Sequence, residues 1–233
     1  MRLSLLQFLQ MPIIMTIFAT KVMQVKLKRA CSIGGDAAKY YPKVSKVELN
    51  PKQLMKKCLF IIGSLRAKSF NRQLAMMAKE IIGSRAEVSE LDYSDLPLLN
   101  QDIEQPEPAA IARIRKAVSE ADALWIFAPE YNSSYPGHLK NLLDWLSRPV
   151  IPLDYGTPTC INGKRVAISG AGGKAATANC RAKHTELLTF IKADVLAEQT
   201  GIAVPAEAWG TDVLTLSDEQ KAQLSAQADA LLG

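Results

Sequence analysis

Two stretches of this chain gather the residue types that bind an anion and a flat polar ring. The first is Gly63-Ser-Leu-Arg-Ala-Lys-Ser-Phe-Asn-Arg72, which follows an apolar run and leads into helical spacing. It offers the Ser64 and Ser69 hydroxyls, the Asn71 amide, the Arg66 guanidinium and the N–H groups of a helix start, with no carboxylate to compete. Donors of this kind at a helix N-terminus suit a phosphate, and Arg66 can grip phosphate oxygens with a planar fork. The spacing is neither the G-x-x-x-x-G-K-[ST] pattern nor G-x-G-x-x-G. Taken alone, the stretch is also readable as a polar strand-to-helix turn with Ser69 as its N-cap.

The second stretch is Pro129-Glu-Tyr-Asn-Ser-Ser-Tyr-Pro-Gly137. A flavin ring needs backbone donors and acceptors along its polar edge and an apolar or aromatic wall. Tyr131 would supply the wall and Asn132 a polar contact. Taken alone, this too reads as a surface turn entering a helix through Pro136 and Gly137. Glu130 has no neighbouring histidine and is a poor general acid or base. In a third segment, Gly170-x-Gly172-x-x-Ala175 follows the strand-like Val166-Ala-Ile168 and fits a loose dinucleotide fingerprint. Against that alternative, only about sixty residues follow, too few for two mononucleotide-binding halves. The competing reading is that these glycines let the backbone approach a ring closely.

No other constellation emerges. His138 and His184 fall on separate helical stretches and read as structural, His138 on a surface and His184 near a helix start. The four cysteines, Cys31, Cys58, Cys160 and Cys180, have no metal-ligand spacing. No catalytic side chain and no metal site is assigned.

The elements that must position these stretches alternate strand with helix. Apolar runs at Cys58–Ile62 and Ala123–Ala128 read as strands buried on both faces. Ala86–Leu91, Arg165–Ser169 and Asp194–Val204 supply three more. Helical spacing covers Asn71–Ile82, Ile111–Ser119, Gly137–Leu146 and His184–Ala193, with a closing helix capped by Ser217 and boxed by Gln220. Trp125 is expected in the core and Trp145 in the core or at an interface. Right-handed crossovers make this a five-stranded parallel sheet with helices on both faces. In the order 2-1-3-4-5 the loops at Gly63 and Pro129 flank the point where strand order reverses, where such sheets bind ligands.

Residues 57–233 resemble the NAD(P)H-dependent FMN reductases, a family that includes bacterial quinone, chromate and azo-dye reductases. The resemblance rests on Gly63-Ser-Leu-Arg-x-x-Ser69-x-Asn71-Arg72 and on Pro129-Glu-Tyr-Asn-x-Ser-Tyr-Pro-Gly-x-Leu-Lys-Asn-x-Leu-Asp-Trp-Leu-Ser147. It implies a flavodoxin-like fold, non-covalent FMN, NADH or NADPH as hydride donor, and a homodimer or homotetramer. It also implies a small-molecule acceptor such as a quinone, with chromate or azo compounds as further candidates. By the same resemblance Ser64, Arg66, Ser69, Phe70 and Asn71 would contact the phosphate and ribityl tail. Pro129, Glu130, Tyr131 and Asn132 would line the ring, and Ser169 and Gly170 would close its other side. One departure is visible: members often carry a Gly-Gly pair before the fourth helix, where this chain has Ala175-Ala-Thr-Ala178. The competing class is a non-enzymatic flavodoxin-like electron shuttle or nucleotide-sensing module.

Charge separates an N-terminal extension from this body. Residues 1–54 carry nine Lys or Arg against Asp36 and Glu48, a net of +7, so the total of +5 leaves the remainder at −2. A mildly acidic body gives no footprint for nucleic acid. Residues 3–19 are uncharged but short and interrupted for a membrane span, so membrane association is not expected. A membrane-tethered reductase is the reading that would need them. Met55-Lys-Lys reads as a natural start, which would make residues 1–54 a loose tail or an upstream artefact and 55–233 the reductase domain. Scattered cysteines suit a reducing, cytoplasmic setting.

Overall fold

The computed structural model describes residues 55–151 and 154–233. The expectations for residues 1–54 lie outside the described residues. The sheet holds β1 (Lys56–Ile62), β2 (Ala86–Glu90), β3 (Ala123–Phe127), β4 (Arg165–Gly172) and β5 (Asp194–Ala203). All pairings are parallel, in the order β2-β1-β3-β4-β5. The helices are α1 (Phe70–Ile82), α2 (Ala109–Glu120), α3 (Gly137–Leu146), α4 (Ala178–Phe190), the short α5 (Ala206–Thr211) and α6 (Asp218–Leu232).

Strand alternation divides the core in two. Cys58, Phe60 and Ile62 face one side with Trp125 and Phe127, under α1 and α6. Leu59 and Ile61 face the other with Leu124 and Ile126, under α2, α3 and α4. A strand covered on both faces must be apolar at every position, which is why β1 and β3 read as unbroken runs. Phe60, Trp125 and Phe127 pack mutually at centroid distances of 4.9–5.7 Å. Trp145 is also core and gives its indole N–H to the Pro97 carbonyl at 2.8 Å.

One buried polar relay fastens α6 to the sheet. The Trp125 indole donates to Ser169 Oγ at 2.9 Å, and that hydroxyl donates to Gln227 Oε1 at 2.6 Å. Gln227 Nε2 donates to the carbonyls of Ile168 and Glu198, both at 2.9 Å. The register between β4 and β5 slips between Val166 and Ile168, and Gln227 satisfies the backbone oxygens beside that irregularity. Gln227→Leu should therefore destabilise the fold by about 2–4 kcal/mol, because it orphans several buried groups at once. Urea unfolding measures this, and a loss below about 0.5 kcal/mol would contradict it.

Candidate functional site

The first and second stretches leave the sheet side by side. Gly63 N–H donates to the Phe127 carbonyl at 2.8 Å, and Ala128 N–H to the Ser169 carbonyl at 3.0 Å. A Cβ on Gly63 would lie 3.2 Å from Ala128 Cα and 2.8 Å from Leu139 Cδ2, so any side chain there would push on both neighbours where the two loops start.

In the first stretch, Ser69 is the N-cap of α1. Its Oγ accepts from the Asn71 and Arg72 amides at 3.2 and 3.4 Å, which leaves its own proton to donate outward. The Ser69 amide turns back to the Arg66 carbonyl at 3.1 Å. Among the described residues, the amides of Ser64 through Lys68 meet no protein acceptor. Five successive free donors, buried Ser64, a helix start and the cations Arg66 and Lys68 fit a phosphate ester. Arg66 lies 5.1 Å over the Phe70 ring and gives Nη1 to Asp212 Oδ1 at 2.6 Å. That hydrogen bond holds the Asp212 carboxyl below its usual range. Phe70 is buried and meets Trp209 edge-on at 5.1 Å.

Asn71 is placed differently from its expected role. Its Nδ2 donates to the Ala171 carbonyl and its Oδ1 accepts from the Ala171 amide, both at 2.9 Å. Both ends of the side chain are committed to β4, because a buried amide must satisfy donor and acceptor together.

In the second stretch, Tyr131 and Ser134 exchange backbone bonds at 2.9 and 3.0 Å across Asn132 (φ 51°) and Ser133 (φ 57°). Two positive φ values in succession make a primed two-residue turn, which asparagine tolerates well. Tyr131 and Asn132 stand exposed at its tip. Glu130 points elsewhere: Oε2 accepts from the Cys180 amide at 2.9 Å and Oε1 from Asn179 Nδ2 at 3.3 Å. The α4 N-cap, Thr177, makes no side-chain cap of its own. A carboxylate from another loop therefore closes the helix, at the end where negative charge is favoured.

Beneath this cap, the Cys180 thiol donates to the Pro129 carbonyl at 3.3 Å. His184 is wholly buried within α4, not near its start. Its Nδ1–H donates to the Cys180 carbonyl at 2.9 Å, and its Nε2 finds no partner among the described residues. Burial lowers its pKa to about 4. His138 is half-buried against Tyr93, and burial lowers its pKa too.

The glycine-rich segment differs most from expectation. β4 continues through Gly172, and Ser169 turns its hydroxyl into the core relay. The close approach to Gly170 is made by the chain itself. A Cβ there would lie 2.2 Å from Thr177 Oγ1 and 2.4 Å from the Ala128 carbonyl, and one on Gly172 would lie 2.8 Å from Thr177 Cγ2. Thr177 is pressed against both glycines in a left-handed conformation (φ 59°), directly after Ala176 (φ 47°). Both residues lie in the Ala175–Ala178 stretch that leads into α4. Ala176→Gly should accordingly stabilise the fold by about 1 kcal/mol, since a Cβ is strained at positive φ. Thermal unfolding measures the gain, and a destabilised variant would show that the loop is unstrained.

Sequence reading missed Asp212, Trp209 and Thr177. Trp209 and Asp212 belong to a six-residue helix and its exit, too short and too glycine-interrupted (Gly210) to show a period. Thr177 carried a signal only as a departure from a glycine pattern.

The sequence model of the NADPH-dependent FMN reductase family matches residues 56–206. A quinone reductase of Escherichia coli K12 is 36% identical over 140 residues, 58% of this chain and 71% of its own. An NAD(P)H-dependent FMN reductase of Pseudomonas aeruginosa is 32% identical over 178 residues, 75% of this chain and 92% of its own. Among solved structures, a flavoenzyme NAD(P)H:(acceptor) oxidoreductase from Paracoccus denitrificans superposes with a TM-score of 0.67 at 29% identity. It covers 76% of this chain and 96% of its own.

Proposed function

Because this chain belongs to the NADPH-dependent FMN reductase family, we propose that it is a flavin-dependent quinone reductase whose FMN phosphate sits on residues 64–69. FMN, when bound, accepts a hydride from a reduced nicotinamide and returns two electrons to an oxidised acceptor. The observation that carries the site assignment is the row of free amides from Ser64 to Lys68, beside Arg66 and next to the turn at Tyr131. Those amides, with the Ser64 and Ser69 hydroxyls and Arg66, hold the phosphate. The Pro129–Asn132 backbone lies along the ring, with Tyr131 as a movable wall. Asn71, Glu130, Ser169 and Gly170 serve the cofactor indirectly, by fixing the walls on which these groups stand.

A quinone is the acceptor class we favour. The E. coli and potato (Solanum tuberosum) relatives carry quinone reductase or oxidoreductase in their names, and a flat acceptor can stack on a flat cofactor. We further propose a homodimer through the end of α3. There Leu98, Ile103, Val150, Ile151 and Tyr155 are exposed around the Arg148–Glu104 ion pair. No helix among the described residues is long and apolar enough to cross a membrane. Cys58, Cys160 and Cys180 carry free thiols, which supports a reducing, cytoplasmic setting.

The test is the visible spectrum of the purified protein before and after anaerobic NADPH. Absorbance near about 450 nm, set by the cofactor itself, should bleach on addition and return with a quinone. A yellow protein that neither nicotinamide bleaches would be an electron shuttle. A protein that cannot be loaded with FMN would overturn the assignment.

A further inference from the structure

We propose that Asp212 is a positioning residue that presets the Arg66 guanidinium for the cofactor's phosphate, which makes the strap 205–214 part of the flavin site. The inference rests on the reading of residues 64–69 as the phosphate loop. The strap lies almost wholly beyond the matched residues 56–206.

Asp212 is itself held by its backbone. At φ 58° its N–H donates to the Ala208 carbonyl at 2.8 Å and its carbonyl accepts from Gln73 Nε2 at 2.9 Å. The Leu214 amide returns to Gln73 Oε1 at 2.8 Å. Gln73 belongs to the first turns of α1, so strap and phosphate loop are mounted on one helix. From that anchorage Oδ1 takes Arg66 Nη1 at 2.6 Å, while Oδ2 lies 3.5 Å from Lys68 Nζ.

The contact occupies one guanidinium nitrogen. Nε and Nη2 of Arg66 meet no other acceptor among the described residues. The plane of the group rests on Phe70, and Phe70 is wedged by Trp209 of the same strap. One edge and one face of Arg66 are therefore fixed, and a second edge is left for an oxyanion. An arginine that the ligand had to order for itself would lose rotamer freedom on binding, and this one has already lost it. The carboxylate also repels a phosphate. Its side chain is 31% exposed and that of Arg66 48%, so solvent screens the repulsion and the ordering outweighs it.

The experiment measures dissociation constants of FMN and riboflavin, by quenching of flavin fluorescence, for wild type, Asp212→Asn, Arg66→Ala and the double variant. Asparagine tolerates the left-handed backbone and keeps both Gln73 bonds, so the strap stays folded. Asp212→Asn exchanges a charge-assisted hydrogen bond to Arg66 for a weaker neutral one, so it should weaken FMN binding about two- to fivefold and leave riboflavin unchanged. In the Arg66→Ala background it should change neither ligand. An FMN constant that is unchanged or tighter would make Asp212 a bystander or competitor and overturn the proposal. So would an equal loss for riboflavin, or a loss that persists without Arg66. If wild type binds FMN no better than riboflavin, the phosphate assignment itself falls and the proposal falls with it.

Discussion

Gly170→Ala is expected to destabilise the protein by about 3 kcal/mol or more, and to weaken FMN binding in whatever folded fraction remains. The added Cβ would stand 2.2 Å from Thr177 Oγ1 and 2.4 Å from the Ala128 carbonyl. The first contact could be relieved by moving a side chain, but the second is with backbone. Ala128 cannot retreat, because its amide is tied to the Ser169 carbonyl at 3.0 Å and the next residue opens the ring loop. Strain at Gly170 is thus passed to Pro129–Asn132, and binding suffers along with stability. Thr177→Gly should rescue the variant only in part, since it removes the contact that could move and the strain of Thr177's positive φ but leaves the clash with the Ala128 carbonyl. Gly173→Ala, where a Cβ meets nothing within 4 Å, should stay within about 0.5 kcal/mol of wild type. Urea midpoints for the three variants decide the matter. A near-neutral Gly170→Ala would mean that β4 and the ring loop are not locked together.

The second large effect is acid sensitivity centred on His184. Its Nδ1 faces the Cys180 carbonyl at 2.9 Å and the Cys180 sulfur at 3.3 Å, and a proton on Nε2 would have no acceptor among the described residues. Burial accordingly lowers its pKa from 6.5 to about 4. Between those values the unfolded chain binds a proton that the native chain refuses, so stability falls as pH falls. The slope is about 1.4 kcal/mol per pH unit, which amounts to roughly 3 kcal/mol across the window. His138, lowered by burial, adds in the same direction. Urea midpoints from pH 7 to 4.5 should drop steadily for wild type and more gently for His184→Gln, which has no proton to gain. Equal slopes would show that His184 is solvated or already charged.

How much of this was legible in the sequence depended on whether a residue's partner was local. β1 and β3 showed themselves as apolar runs, α3 occupies the expected Gly137–Leu146, and the Ser217–Gln220 capping box is present. α4 was expected at His184–Ala193 but runs from Ala178 to Phe190. Its start is stabilised by Glu130, fifty residues earlier, and no local pattern carries that information. β4 was expected to end at Ser169 and continues to Gly172, because pairing with β5 through Gly201, Ile202 and Ala203 extends it. The donors of residues 63–72 were readable as types, since hydroxyls, amides and a guanidinium announce themselves. What was not readable was which of them the fold had already spent. Asn71 is satisfied by Ala171 and Ser169 by Trp125 and Gln227, all remote in sequence. Polar residues near a site look alike until long-range pairing is known.

The Asn71–Ala171 pairing has a dynamic meaning. A side-chain amide that both gives to and takes from one backbone residue behaves as a single rung of sheet, spliced between the first turn of α1 and the end of β4. Neither side can drift while both bonds are closed. The amide proton of Ala171 is consequently a one-atom gauge of the whole cradle: it can exchange with deuterium only when the cradle opens. Its protection factor, followed in a single NMR resonance, would report how rarely this pairing opens.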